Sequence, residues 1–199
     1  MTEDPSITFW FDASCPFTWR TSRWIRDVAA RQGRSLQWQP MSLAILNEGK
    51  EIPEQYRQSH THSRRAARLL IATGQRHGQA AVERLYTAIG VRRHDKGEPW
   101  STELLTGALS DADLPADLIA AADDTALEEP LRESHDAGQA RVGTESGSPI
   151  LAIGDDRGFF GPVVVPIPEG EDADRLFEAV RLLAAVPQFS ELKGSRNPF

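Results

Sequence analysis

Only one cysteine, Cys15, occurs in the chain, so no intrachain disulfide can staple the fold. No apolar run approaches the ~20 residues that a membrane-spanning helix needs, and no membrane partner is expected. Positive charge is also scarce: 22 basic residues face 29 acidic ones, a net charge of −7. Broad nucleic-acid binding needs clustered cations to replace condensed counterions, so nucleic acid is not an expected partner. Lysine is nearly missing. Lys50, Lys96 and Lys193 are the only three, and the arginine bias with many alanines points to a GC-rich genome. The opening MTEDPSITFWFDASC has neither a basic n-region nor a long apolar h-region. No secretory signal is therefore expected, and the cytoplasm is the default location. There is no internal repeat and no low-complexity tract.

What remains is enough for a core. The 199 residues include 40% apolar side chains and five tryptophans, which suits one large domain or a domain carrying an insertion. Ile7, Phe9 and Phe11 alternate with Thr8, Trp10 and Asp12, the period of a strand. After Ser14-Cys15-Pro16 the period becomes helical to about Gln32, with Trp24, Ile25, Val28 and Ala29 on one stripe and Gly33 as a stop. The segment 35–43 alternates again, with Leu36, Trp38 and Met41 inward and Pro40 marking an edge or an end. The first 46 residues thus read β-α-β.

Residues 47–142 carry helical periodicity almost throughout, in segments 53–73, 79–91, 101–109, 115–122 and 128–141. This block is expected to hold four to six helices. From 143 onward the strand signal returns: 149–153 is apolar, Gly154 to Gly158 is a turn, and 159–165 forms a second strand interrupted by Pro162. An amphipathic helix over about 172–185 follows, then an irregular tail. The fold class is α/β, with β-α-β and β-β-α halves separated by a large all-helical insertion, the order of a thioredoxin fold. The boundaries expected are 1–46, 47–142 and 143–199.

Cys15 stands at the expected N-terminus of a helix, where unpaired N–H groups and the macrodipole favour an anion and should lower the thiol pKa. Pro16 suits the first turn, because its missing N–H would have been unpaired. Arg20 and Arg23 would add positive potential if directed at the sulfur. A redox site of this kind usually reads C-x-x-C, but here Thr18 holds the resolving position. Its hydroxyl can donate to a thiolate but cannot form a disulfide, so the chemistry has to be monothiol. A lone cysteine is also often an inert, buried small hydrophobe. The second signal is Gly147-Ser148-Pro149 ahead of an apolar strand. In a thioredoxin fold a cis-proline here lies against the catalytic cysteine and orients a bound thiol; the alternative is a trans proline opening a strand.

The blocks FWFDASCPFTWRTSRWI, MSLAILNE, PEQYR, GSPILAI with FFGPV, ESHDAG and PQFSELK resemble, in this order, the DsbA-like family that includes the mycothiol-dependent nitroreductases of actinobacteria. The resemblance runs along nearly the whole chain. It implies a thioredoxin domain with a helical insert and a low-molecular-weight thiol, mycothiol, as co-substrate. It implies reduction of small disulfides or electrophiles. Where the family reads C-P-W-C this chain has Phe17 and Thr18, and Ser148 replaces the commoner threonine. Dithiol oxidation is not expected to survive this change, whereas reduction through a mixed disulfide is. The resemblance also puts Asn47 and Tyr56 on the wall of the thiol pocket, with Pro16 and Phe17 beside the sulfur. Taken alone, Asn47 reads equally as a helix cap and Tyr56 as a half-buried aromatic.

No metal is expected. His60 and His62 with Arg64 and Arg65 could suggest a metal or phosphate site, but positions i and i+2 do not face one ligand on a helix, and the signal is discounted. His77, His94 and His135 stand apart, as solvated or capping residues would. Acidic groups such as Asp111/Asp113 and Glu171/Asp172 read as helix starts. Two other functions stay open on the same fold. One is a thiol-dependent isomerase or transferase of the kappa-class glutathione transferase type. The other is a redox-inactive binding module, and a homodimer is compatible with any of them.

Overall fold

The computed structural model of the chain describes residues 6–195, apart from the side chains of Gln55, Tyr56 and Gln58. A four-stranded sheet in the order β2-β1-β3-β4 forms its centre. β1 (Ile7–Phe11) runs parallel to β2 (Leu36–Pro40) and antiparallel to β3 (Ile150–Ile153), with Phe9 opposite Trp38 on one side and Leu151 on the other. The alternation of β1 divides two cores. Ile7, Phe9 and Phe11 enter the main one with Trp24, Ile25 and Val28 of α1 (Pro16–Gln32). Trp10 faces the opposite way, into a small cluster with Met41, Ile150 and Ala152. β1 is therefore buried on both faces, and Trp10 is not the solvent-side residue that simple alternation suggests.

α1 ends at Gly33, whose φ of 64° lets its N–H reach the carbonyls of Ala29 and Ala30. The helical block follows β2. It contains the short α2 (Leu43–Leu46), α3 (Glu54–His77), α4 (Gln79–Gly90), α5 (Thr102–Asp111) and α6 (Glu128–Val142). α6 lies over the second face of the sheet at Gly138, where an added Cβ would stand 2.9 Å from the Trp10 indole. α7 (Gly170–Ala184) closes the fold against α1, which the Trp24 indole N–H fixes through the Ala173 carbonyl at 3.0 Å.

Three segments depart from the sequence pattern. β4 is only Phe159–Phe160, because Gly161, at φ 93°, turns the chain and the proline after it has no N–H for the ladder. Residues Ala116–Asp123 wind as a 3₁₀ segment, burying Leu118, Ala121 and Ala122. Val91–Asp95 continues α4 as a π segment, with Lys96 N–H on the Val91 carbonyl at 2.9 Å. Asp111 is the last residue of α5 rather than a helix start, and its carboxylate accepts from Arg92 at 2.7 Å. Among the described residues no helix is long and apolar enough to cross a membrane.

Candidate active site

The strand-to-helix turn is organised by Asp12, whose side chain is buried at the end of β1. One carboxylate oxygen accepts from the Ser14 N–H at 2.7 Å and the Ser14 hydroxyl at 2.6 Å. The other accepts from the Leu43 N–H at 2.7 Å, which joins the turn to the first residue of α2. A buried carboxylate with three donors is satisfied. The Cys15 N–H closes the turn on the Asp12 carbonyl at 3.1 Å, which leaves Cys15 as the N-cap of α1 and Pro16 as its first residue.

Opposite the sulfur stands the loop before β3. The Ser148–Pro149 peptide is cis, and Cys15 Sγ lies 3.6 Å from the Ser148 carbonyl oxygen, which can only accept. The Ser148 hydroxyl accepts from the Asp12 N–H at 2.9 Å and shares a 2.8 Å hydrogen bond with the Thr18 hydroxyl. Thr18 and Ser148 are both buried, and Cys15 is half-buried. Asp12, Cys15, Thr18 and Ser148 are thus one polar cluster between two halves of the chain.

Burial pushes the Cys15 thiol above its ordinary range, against the lowering that a helix N-terminus alone predicts. The Thr18 hydroxyl and the N–H groups of Thr18 and Phe17 pull it back down, and the Asp12 charge raises it. The thiol also donates to the Ser148 carbonyl, a contact that a thiolate would lose. Arg23 does not serve the sulfur. Its guanidinium lies 4.1 Å over the Trp19 ring and donates to the Thr87 hydroxyl at 3.0 Å.

Of the expected wall residues, Phe17 is half-buried in the first turn of α1. Asn47 caps α2 by donating to the Leu43 carbonyl at 2.8 Å, and it also lines a cleft beside α3. Tyr56 belongs to the first turn of α3, and its side chain lies outside the described residues. Sequence patterning singled out neither Asp12 nor His94. An acid ending an apolar strand three positions before the cysteine was a usable signal for the first. His94 had none, because only the π segment brings its Nε2 to within 2.9 Å of the Ala13 carbonyl. A carbonyl cannot donate, so that nitrogen carries the proton. His94 is half-buried rather than solvated, and burial pushes its pKa down. His135 is buried as well, with Nδ1 3.5 Å from the Ser42 N–H. Among the described residues no group of three or more His, Cys, Asp and Glu side chains could hold a metal ion.

A cysteine heading the first helix, facing an X-Pro loop across a sheet of this topology, defines a thioredoxin-fold protein of the DsbA-like class. Solved structures agree on the fold. The probable DsbA oxidoreductase SCO1869 of Streptomyces coelicolor superposes with a TM-score of 0.64 at 16% identity, over 96% of this chain and 100% of that one. DsbA of Chlamydia trachomatis gives 0.60 at 17%, over 92% and 89%. A 2-hydroxychromene-2-carboxylate isomerase gives 0.62 at 16%, over 89% and 93%. The family model described as Rv2466c-like, the mycothiol-dependent nitroreductase Rv2466c, matches residues 14–194, and the chain belongs to that family. The uncharacterized protein Rv2286c of Mycobacterium tuberculosis (strain ATCC 25618 / H37Rv) is 32% identical over 197 residues, 97% of this chain and 83% of that protein. Family and fold together support a thiol-dependent redox function.

Proposed function

We propose that the chain is a monothiol oxidoreductase that reduces small disulfides or electrophiles through a mixed disulfide on Cys15, with mycothiol as the resolving thiol. The observation that carries this reading is the seat of the sulfur. Cys15 caps α1, faces the Ser148 carbonyl at 3.6 Å, and has a threonine where a resolving cysteine would stand. The Cys15 thiolate attacks one sulfur of a disulfide, forms the mixed disulfide and expels the other half as thiolate. A mycothiol thiolate then attacks the bound sulfur, frees Cys15 and leaves as the mixed disulfide of mycothiol with the substrate half. The substrate sulfur gains the electron pair that mycothiol gives up. Thr18 steadies the Cys15 thiolate, while Ser148 and Pro149 orient the incoming thiol. Pro16, Phe17, Asn47 and Tyr56 form the pocket wall. The cytoplasm, which keeps such thiols reduced, is the compartment that suits the cycle.

Intact-protein mass spectrometry after incubation with oxidised mycothiol, and separately with glutathione disulfide, tests the reading. One mycothiol adduct on Cys15, formed faster than the glutathione adduct and absent from Cys15→Ser, is the expected result. A Cys15 that alkylates but takes neither thiol would overturn it and favour a binding module. A second reading draws on the half-buried sulfur with its raised pKa, which suits a site that activates a bound small thiol for isomerisation or transfer. Conjugation of a substrate to the small thiol, without its net oxidation, would select that reaction.

A further inference from the structure

A cleft of about 460 Å³ opens between α3 and the segment that leads into it from α2. Five basic side chains line it, Lys50, Arg57, Arg64, Arg65 and Arg68, against the single carboxylate of Asp123. Each of the five is ion-paired, Lys50 with Glu145, Arg57 with Glu54, Arg64 with Glu48 and Glu128, Arg65 with Asp123 and Arg68 with Glu128, so the cleft offers oriented N–H donors rather than a net positive charge. The arginine row comes from helical spacing: positions 57, 64, 65 and 68 recur at i, i+7, i+8 and i+11 and share one side of α3. Like charges in such a row destabilise a helix unless something answers them.

Carboxylates answer them only in part. Glu128 accepts from Arg64 Nε at 2.8 Å and from Arg68 at 2.9 and 3.0 Å; Glu48 takes Arg64 Nη2 at 2.6 Å. Asp123 takes Arg65 in a fork at 2.7 and 2.8 Å. These pairs hold three guanidinium groups still. They leave Arg64 Nη1 and both terminal nitrogens of Arg57 without a hydrogen-bond partner among the described residues. Among the described residues the one ionic contact of Arg57 is a 3.7 Å approach to Glu54. Arg64 is held in place and mostly buried with a spare N–H₂, and the exposed Arg57 adds two more; guanidinium donors of this kind match carboxylate or phosphate geometry.

The cleft also adjoins the thiol site. Ala44 and Asn47 line it from α2, whose first N–H is held by Asp12, and Asp12 is also hydrogen-bonded within the Cys15 turn. His60 lines the cleft and lies within reach of the Asp12 charge. Mycothiol is a sugar thiol with no ionisable group besides its sulfur, and it would leave these donors unused. We propose that the cleft receives the anionic group, carboxylate or phosphate, of the compound reduced at Cys15, so that the protein selects anionic disulfides or electrophiles over neutral ones. The reaction in this inference rests on the monothiol reading; the binding does not.

Two probe disulfides separate the cases in single turnover with the reduced protein. They are 5,5′-dithiobis(2-nitrobenzoate), which carries two carboxylates, and neutral 4,4′-dithiodipyridine. In each, Cys15 thiolate forms a mixed disulfide and expels one coloured arylthiolate. The dicarboxylate is expected to react with saturation, and Arg57→Gln should slow it about tenfold at low concentration, with Arg57→Lys restoring most of the rate. The neutral probe should be unaffected by either substitution. Arg57 is largely exposed, so its replacement spares the fold. Calorimetry on Cys15→Ser, which cannot react, should show one site for benzoate or inorganic pyrophosphate that Arg57→Gln weakens, and the tighter of the two names the anion class. Equal sensitivity of both probes to Arg57→Gln, or none, with no anion bound in the calorimeter, would overturn the cleft assignment and leave the monothiol reading intact. If Cys15 reacted with neither probe, the monothiol reading would fall, and calorimetry alone would decide the cleft.

Discussion

At the scale of single residues, the chemistry turns on the protonation of Cys15. Burial raises its pKa, and the Thr18 hydroxyl is the largest influence pulling it back. Because the thiolate is the reactive species, alkylation by iodoacetamide should accelerate as pH rises beyond the ordinary thiol range of ~8.5. Thr18→Val should move that profile to still higher pH, since it removes the hydroxyl and keeps the shape. A raised folded-state value also means that the native protein holds this proton more tightly than the unfolded chain. The resulting stabilisation is present below the unfolded thiol pKa and is lost as pH rises through the folded one. Asp12 acts on the same residue in two ways. Asp12→Asn would set an amide N–H₂ among donors now facing a carboxylate, costing about 1–3 kcal/mol in denaturant melts. It would also lower the Cys15 pKa, because a charge that raises it disappears. A variant that was destabilised without that downward shift would mean that the Asp12 charge does not reach the sulfur.

At the scale of elements, the site depends on how α4 ends. The chain at Gly90 meets the indole of Trp19 so closely that any side-chain carbon there would fall inside the ring. The π segment then carries His94 to the Ala13 carbonyl and Asp95 to the Trp19 N–H, at 2.9 and 2.8 Å. Gly90→Ala is expected to destabilise the protein by about 1–3 kcal/mol, as overpacking of a tight core does. It should also speed Cys15 alkylation, because loosening the turn that His94 holds relieves the burial that keeps the thiol protonated. Thermal melts and alkylation rates on the same preparation check both effects. Periodicity made α1, α3 and α6 readable from the chain, because each repeats apolar residues over several turns. It could not foresee the π segment or the 3₁₀ winding of Ala116–Asp123, which packing imposes on sequences that would otherwise continue as ordinary helix. β4 came out shorter than its pattern for a local reason that Gly161-Pro162 did display.

At the scale of the whole molecule, the site is a seam between distant parts of one chain. Ser148 lies 133 positions from Cys15 and meets it only when β3 pairs with β1. Thr18 sits on the same helix as Cys15, one turn on, so Thr18→Cys should recreate a dithiol site. The oxidised variant is expected to lose both free thiols to an internal disulfide in a thiol count, whereas the parent keeps its one. Persistence of two free thiols under oxidation would mean that the first turn of α1 holds the sulfurs apart. The sequence by itself determined the strand–cysteine–helix order and the absence of a resolving thiol, because each is written in residue type and short-range spacing. Only the tertiary structure decided that the thiol pKa rises, that Asp12 gathers three donors, and that His94 reaches the active turn. Desolvation and long-range hydrogen bonds depend on which distant segments pack together, and local spacing carries no record of that.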